Sequence, residues 1–292
     1  MKRSVCIILA MICALLSAPV SVSYSESSPI NILLLGTDNF GAQVGENEGM
    51  SRADAIYVLS LDKAQSTIKL LSIERDYLAV MPDGLGENKL GTATYFGGPE
   101  MAMKVINKMF DLDIALYAHI DIYNMINAIN LFGGVDVEIM PDEVDETNRF
   151  IDGILIEKVP HISAGINHLS GLQAWSFMGV RSHDIDPIES NIERNSRQKR
   201  IMSALLEQAS KKDLSVLLKL VNEILPLITT NISTAELLNL VNITLSLQLD
   251  QMQYQRTPFG PYSMKRVRMH RVVVPESMEH ETEKVHQFLY GK

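Results

Sequence analysis

The feature that most constrains this chain is the segment Ile30–Asp38, an apolar run that ends in a carboxylate. Six of the seven residues at positions 30–36 are apolar or glycine, which is typical of a strand buried on both faces of a covered α/β sheet. Ligands of open α/β sheets bind just beyond the carboxyl ends of the strands. Asp38 is therefore either a surface loop residue or part of a functional site, depending on which other groups converge on it.

The N-terminus has the order of charged, apolar and polar residues that is typical of a secretory signal. Lys2 and Arg3 precede an apolar run, and serines follow Pro19. Residues 1–23 are predicted to be a signal peptide or, since about 20 residues can span a bilayer, an uncleaved N-terminal membrane anchor. In both cases the remaining chain is expected to be extracytoplasmic, either secreted or anchored to the outer face of the cytoplasmic membrane.

Composition excludes several classes of function. Both cysteines, Cys6 and Cys13, lie in the N-terminal segment, so disulfides, thiol nucleophiles and thiolate metal sites are excluded from the rest of the chain. The net charge of -9 argues against a non-specific nucleic-acid binder. A site for a polyanion must therefore be a local cluster of cations in an acidic protein.

The apolar patterns predict strands interspersed with helices. Residues 55–61 and 67–73 are expected to pair as a hairpin, and residues 140–158 to form a polar surface excursion. The other predicted elements are strands at 115–121, 135–139 and 266–274 and helices at 99–110, 122–131, 170–178, 192–210, 214–225, 233–247 and 277–290. This order favours an α/β class with a mixed central β-sheet flanked by helices. After a short linker at 24–29, residues 30–292 are predicted to form a single catalytic domain with a helical C-terminal part from about 211.

Charged residues lie at the ends of the predicted strands. Arg52 and Asp54 precede the second strand, and Arg75 and Asp76 follow the third. The start of one hairpin strand and the end of its partner share one edge of a sheet, so these four side chains are expected to be neighbours. Asp38 joins them if the first strand runs alongside the third. The cluster is either a surface salt-bridge network, worth about 0–1 kcal/mol per pair, or a functional site.

A second group of cations lies on the predicted helix 192–210. Arg194, Arg197 and Gln198 share one helix face by their spacing, and Arg181 precedes this helix. The guanidinium group is a rigid fork of donors that matches phosphate oxygens. This face either binds phosphate or is a solvated surface that pairs with neighbouring glutamates. Carboxylates suited to Mg²⁺ and arginines suited to phosphate together indicate phosphoryl-transfer chemistry.

With these residues in order, the chain resembles the LytR-CpsA-Psr (LCP) family of cell-wall enzymes from about residue 31 to residue 209. Seven segments carry the resemblance. They are Asn-Ile-Leu-Leu-Leu-Gly-Thr-Asp at 31–38, Ser-Arg-Ala-Asp at 51–54, Leu-Ser-Ile-Glu-Arg-Asp at 71–76, Asn-Lys-Leu at 88–90 with Gly-Gly-Pro-Glu at 97–100, Gly-Gly-Val-Asp-Val at 133–137, Leu-Ser-Gly-Leu-Gln-Ala at 169–174 and Arg-Asn-Ser-Arg-Gln at 194–198.

The resemblance implies an α-β-α sandwich and an extracytoplasmic, Mg²⁺-dependent phosphotransferase. Such an enzyme moves a glycopolymer, for example teichoic acid or capsule, from a polyprenyl-pyrophosphate carrier at the membrane surface to peptidoglycan. The alternatives are a polyprenyl-pyrophosphate hydrolase on the same site and a non-catalytic lipid- or wall-binding protein. The roles implied by this resemblance and by the residue patterns are Mg²⁺ binding by Asp38 and Asp54, pyrophosphate binding by Arg52, Arg75, Lys89, Arg181, Arg194, Arg197 and Gln198, and catalysis by Arg75 with Asp76 or Asp54 as the base.

The chain departs from the family pattern at three positions. Gly179 replaces the first arginine of an Arg-x-Arg pair, Asn191 replaces an aspartate, and Gly91 replaces an asparagine that follows the lysine segment. The loss of one charged contact to phosphate costs about 1.5–3 kcal/mol. These departures affect the expected catalytic efficiency or the identity of the substrate, and they leave Asp38, Asp54 and Arg75 in place.

Overall fold

A computed structural model describes residues 28–38, 51–154, 158–180, 187–233, 236, 239, 240, 243, 247 and 252–291. Their contacts divide the chain into two compact units. The sheet unit comprises the described residues up to Ile122 together with those from Ile228 onward, and the helix unit spans Tyr123–Leu227. The predicted signal or anchor at residues 1–23 lies outside the described residues, as does most of the helix predicted at 233–247.

A mixed six-stranded sheet forms the centre of the sheet unit. Its strands are β1 (Ile30–Asp38), β2 (Arg52–Asp62), β3 (Thr67–Ser72), β6 (Leu116–Asp121), β9 (Thr229–Thr230) and β10 (Gln253–Arg256). Their order is β10-β3-β2-β1-β6-β9. β2 is antiparallel to both β1 and β3, whereas β1 runs parallel to β6 and β3 runs parallel to β10. The predicted class, a mixed central sheet with helices around it, is confirmed.

The central strands are apolar because they are covered. Leu33, Val58 and Leu71 are fully buried, one from each of β1, β2 and β3. They belong to a core that also contains residues of α1 (Ala93–Phe110) and α7 (Met278–Tyr290). Burial of side chains of this size stabilises the fold by about 1.5–3 kcal/mol each. The apolar run at residues 30–36 thus contributes to the hydrophobic core.

Both helices that contribute to this core begin where the sequence indicated. The backbone of α1 is non-helical at Gly97 and Gly98, so its long continuous part starts at Pro99, where a missing N–H costs nothing. A short 3-10 turn, Leu90–Thr92, precedes it. Ser277 caps α7 by accepting a hydrogen bond from the backbone N–H of His280.

Two hairpins of the sheet unit were not expected from the sequence. β4 (Leu78–Met81) pairs with β5 (Gly86–Lys89) in a segment that is too short, glycine-rich and charged to show a strand pattern. The prediction of one continuous strand at 266–274 is wrong. Two strands, β11 (Tyr262–Val267) and β12 (His270–Pro275), form a hairpin there. Its turn has no glycine, proline or asparagine to signal it, and Arg268 takes the left-handed conformation with φ 55°.

The helix unit packs its helices around a β-hairpin. Its core includes Val135, Leu169, Phe177 and Ile201. Ser170 caps α4 in a capping box with Gln173, as the sequence indicated. The elements are α2 (Ile122–Phe132), which starts at the last residue of the sheet unit, β7 (Val135–Ile139), α3 (Val144–Asp152), β8 (Gly165–Leu169), α4 (Gly171–Gly179), α5 (Pro187–Ser210) and α6 (Leu214–Ile224), with 3-10 turns at Pro141–Glu143 and Leu225–Leu227.

Three expectations for these later regions need correction. The excursion at 140–158 contains helix α3, and α5 begins five residues earlier than predicted, at Pro187, since proline suits a first helical turn. The part beyond residue 211 contains α6 and α7 but also β9, β10, β11 and β12, so it is not purely helical.

Candidate active site

The carboxyl end of β1 meets a β-bulge in β2. Asp38 faces Arg52, Thr37 faces Ala53 and Gly36 faces Ala55, so Asp54 is the extra residue of the bulge. Bulges re-aim side chains and are common beside active sites. The condition that β1 runs alongside β3 is not met, because β2 separates them. Asp38 reaches the same edge through its pairing with Arg52, while its side chain lies outside the described residues.

Arg75 is the centre of a charged cluster at this edge. Its guanidinium group forms an ion pair with Asp54, and its Nε lies 3.8 Å from Oδ1 of Asp76. The Nζ of Lys89 lies 2.8 Å from the same Oδ1. The side chain of Arg75 is 16% exposed and that of Asp54 is 34% exposed, so the cluster is partly desolvated and still accessible from solvent. The structure thus brings together four predicted site residues, whereas Arg52 is exposed at the start of β2.

The β4–β5 hairpin explains how Lys89 reaches the cluster. β4 starts two residues after Asp76, and its first residue, Leu78, pairs with Lys89. The backbone N–H of Gly91 then donates to the carbonyl of Arg75 over 2.8 Å. Lys89 is therefore placed by main-chain pairing and not by its own flexible side chain.

His119 is a neighbouring group that sequence reasoning missed. Its Nε2 lies 2.8 Å from Oγ1 of Thr37, the residue before Asp38. Burial lowers the pKa of His119, although the charges of Asp121 and Glu100 oppose this effect. The imidazole is therefore neutral near pH 7. The alternation of small or apolar and polar residues in β6 could have placed this side chain on the face of Thr37, but no motif marks it.

The predicted phosphate-binding residues of the helix unit lie on α5. Arg194 and Arg197 are buried, and Gln198 is half-buried. The Nη2 of Arg197 donates to the carbonyl of Val180 over 2.7 Å, at the C-cap of α4. Burial lowers the pKa of Arg197, an effect that Glu143, 3.8 Å away, opposes. Arg197 thus holds the end of α4, and its role in pyrophosphate binding stays a prediction.

Arg181 lies outside the described residues, as does the side chain of Asn191.

Two of the departures from the family pattern have a structural explanation. A Cβ at Gly179 would lie 3.3 Å from Cζ of Phe150, whose ring packs edge-on against Trp175 at 5.2 Å. A side chain at position 179 would require this ring to shift by a few tenths of an ångström. A Cβ at Gly91 would lie 2.5 Å from the carbonyl oxygen of Ala53, so this position admits glycine alone without a shift of the backbone.

Preformed metal-ligand groups and membrane-spanning helices are both absent from the described part of the chain. There, no three His, Cys, Asp or Glu side chains lie close enough together to hold a metal ion. Among the same residues, no helix combines the length and the apolar character needed to cross a membrane.

Comparisons with known proteins agree with this fold. The chain is 29% identical over 187 residues to the polyisoprenyl-teichoic acid–peptidoglycan teichoic acid transferase TagU of Bacillus cereus (strain AH820), which covers 64% of this chain and 54% of TagU. It is 27% identical over 226 residues to the teichoic acid transferase TagV of Bacillus subtilis (strain 168), which covers 75% of this chain and 54% of TagV. The chain thus spans about half the length of the curated relatives it matches.

A solved structure of YwtF (TagT) with bound octaprenyl pyrophosphate lipid has a similar fold. Its TM-score is 0.66 at 18% identity, with 92% of this chain and 94% of that chain covered. The model of the LytR_cpsA_psr family matches residues 15–284, which include both units of the fold. This chain therefore belongs to the LytR_cpsA_psr family.

Proposed function

We propose that this protein is an extracytoplasmic, Mg²⁺-dependent phosphotransferase that moves a glycopolymer from a polyprenyl-pyrophosphate carrier to peptidoglycan. The observation that carries the proposal is the cluster of Arg75 and Lys89 with Asp54 and Asp76 at the sheet edge. The relatives named as teichoic acid transferases and the lipid pyrophosphate bound in a structural neighbour support the choice of substrate class.

Arg75 and Lys89 supply the positive charge that a pyrophosphate needs. Arg75 offers a planar fork of donors, and Lys89 offers a compact charge beside it. Arg52 stands exposed at the register position opposite Asp38 and is the third cation that we propose for the phosphate oxygens. Donors fixed before the substrate arrives stabilise developing charge without reorganisation. Arg194, Arg197, Gln198 and Arg181 stay proposed pyrophosphate ligands, on the basis of their spacing along the sequence and of the family resemblance.

The proposed reaction exchanges one P–O bond for another. The acceptor sugar hydroxyl forms a bond to the phosphorus nearer the glycan. The bond from this phosphorus to the bridging oxygen breaks, and polyprenyl phosphate leaves with the electron pair. Asp76 and Asp54 are the candidate bases that accept the hydroxyl proton, since both lie beside the cations that hold the phosphates.

Asp38 and Asp54 are the residues that we propose for Mg²⁺. Asp54 is a partly exposed carboxylate at a bulge, and no described group of three ligands surrounds it. This donor set fits Mg²⁺, which is commonly bound by one or two carboxylates together with substrate phosphates. When bound, the ion neutralises charge on the phosphate oxygens.

The β11–β12 hairpin supports a position at the membrane surface. Residues 262–275 contain four Lys or Arg residues and no Asp or Glu, in a chain of net charge -9. Arg266 and Arg271 face each other across the strands, and both are exposed. Met269 at the tip is 83% exposed. Basic side chains around an exposed apolar residue suit an anionic lipid surface.

Neutralising this pair should weaken membrane binding. The double variant Arg266→Gln/Arg271→Gln is expected to bind anionic vesicles about 10- to 30-fold more weakly, since each basic residue near such a surface contributes about 1 kcal/mol. Vesicle sedimentation with and without anionic lipid measures the effect. The control Arg149→Gln/Lys158→Gln removes the same charge from exposed positions of the helix unit. An equal loss of vesicle binding in both variants would indicate an effect of net charge alone. It would contradict the proposed role of the β11–β12 hairpin at the membrane surface.

The proposed activity is tested with the purified exported protein and a polyprenyl-pyrophosphate-linked glycan, with and without peptidoglycan acceptor. Transfer to the acceptor, lost with EDTA and restored by Mg²⁺, is the expected result. Release of the glycan phosphate to water at the same rate without acceptor would favour the hydrolase. Tight lipid binding without any turnover would favour the binding protein. N-terminal sequencing of the same sample separates a cleaved signal from an anchor.

A further inference from the structure

The buried carboxylate of Glu281, far from the sequence motifs, holds the segment that contains Arg75 and Asp76. Glu281, on α7, is 1% exposed. Its Oε1 accepts the backbone N–H groups of Phe259 and Gly260 at 3.0 and 2.8 Å. Its Oε2 accepts the hydroxyl of Tyr77 at 2.9 Å. A buried carboxylate is costly unless it is well hydrogen-bonded, and here three donors satisfy it.

Tyr77 carries this contact into the candidate active site. It follows Asp76 directly and is 0% exposed. Its ring packs edge-on against Phe110 at 5.9 Å, and its carbonyl accepts the N–H of Leu90 at 2.8 Å. Burial raises the pKa of Tyr77, so its hydroxyl stays a donor throughout the neutral range.

The same C-terminal region contacts the residues on both sides of Arg75. The N–H of Thr257 donates to the carbonyl of Ser72 at 2.9 Å, and its Oγ1 accepts the N–H of Glu74 at 3.0 Å. Beyond Arg75, the N–H of Val273 donates to the carbonyl of Asp76 at 2.8 Å. The segment that presents Arg75 and Asp76 is thus held by residues more than 180 positions away.

We infer that Glu281 is a positioning residue that fixes Arg75 and Asp76 through Tyr77. The inference rests on the proposed function for its effect on turnover, while its structural part stands alone. Displacing a reacting group by about 1 Å costs about 100-fold in rate. A single buried hydrogen bond between the C-terminal helix and the residue after Asp76 therefore affects the chemistry without touching substrate.

The Tyr77→Phe variant tests this inference, because it keeps the packed ring and removes the link. Tyr290→Phe is the matched control. It removes a hydroxyl on the same helix that accepts from Nδ2 of Asn31 at 2.8 Å, at the opposite end of β1 from Asp38. Glu281→Ala is avoided, since it would leave three buried donors unsatisfied and could unfold the protein.

Two readouts separate positioning from the proposed activity. Hydrogen exchange at the amides of Asp76 and Tyr77 is expected to accelerate in Tyr77→Phe and to match the unmodified protein in Tyr290→Phe. With a polyprenyl-pyrophosphate substrate, kcat should fall about tenfold in Tyr77→Phe with KM changed less than about twofold, and the control should keep its kcat.

Each outcome decides one part of the inference. Unchanged exchange in Tyr77→Phe, or equal acceleration in the control, overturns the positioning role. Faster exchange with unchanged kcat would show that the positioning by Glu281 does not matter for the reaction. Absence of turnover in the unmodified protein contradicts the proposed function, and the exchange comparison still tests whether Glu281 positions the segment.

Discussion

Replacing Arg75 with alanine is expected to reduce kcat/KM for a polyprenyl-pyrophosphate substrate by about 100- to 1,000-fold, the usual effect of removing one fixed donor to developing charge. Arg75 lies between the carboxylates of Asp54 and Asp76, and its carbonyl is held by Gly91. Its loss removes the guanidinium fork and leaves two carboxylates facing an anionic substrate. Steady-state kinetics of phosphate release measure the effect.

The loss of activity in Arg75→Ala should come from the chemical step and not from unfolding. The Arg75–Asp54 pair is partly exposed, and pairs of this kind contribute about 0.2–1 kcal/mol to stability. The melting temperature of Arg75→Ala should therefore stay close to that of the unmodified protein. Arg75→Lys keeps the charge but loses the bidentate fork, so its activity should be intermediate. Arg149→Ala, at an exposed site on α3, is the control. Full activity in Arg75→Ala would place the chemistry elsewhere.

The Gly91→Ala variant is expected to lose about 2–3 kcal/mol of stability, the upper part of the range for overpacking. The new Cβ would lie 2.5 Å from the carbonyl oxygen of Ala53 and 3.4 Å from Cβ of Arg75. The first contact is with backbone at the bulge, which cannot rotate away. Urea unfolding measures the change.

Activity should fall together with stability in this variant, because Gly91 also donates to the carbonyl of Arg75. Gly153→Ala is the matched control. A Cβ there has 3.4 Å to its nearest neighbour, an ordinary contact, and the backbone φ is -76°. It should change stability by less than about 0.5 kcal/mol. Equal effects of the two substitutions would show that the close contact of the new Cβ at position 91 is relieved at little cost in stability.

Much of the sheet and site follows from local sequence pattern. The apolar runs at β1, β2 and β3 predict buried strands, and the hairpin rule predicts that Asp54, Arg75 and Asp76 meet. These contacts can be predicted from the sequence because the strands that carry them are neighbours in the chain.

The remaining features depend on register and on distant partners. The bulge at Asp54 appears only when the pairing of β1 with β2 is known, and the position of Lys89 requires the β4–β5 hairpin. Arg197 is predicted as a phosphate ligand, yet its contact with Val180 depends on how α4 and α5 pack. Glu281 has no local signal, since it lies 204 residues from Tyr77.

The hydrogen bonds that hold the segment around Arg75 also determine when the site can form. β10 pairs with β3, and Thr257, Val273 and Glu281 complete the surroundings of residues 72–77. Contacts between residues so far apart in sequence form late, because a long loop must close first. As the ribosome releases the chain from its N-terminus, the segment that contains Arg75 and Asp76 emerges before Thr257, Val273 and Glu281. The hydrogen bonds of Thr257, Val273 and Glu281 to residues 72–77 are therefore complete only after the β11–β12 hairpin and α7 have been made.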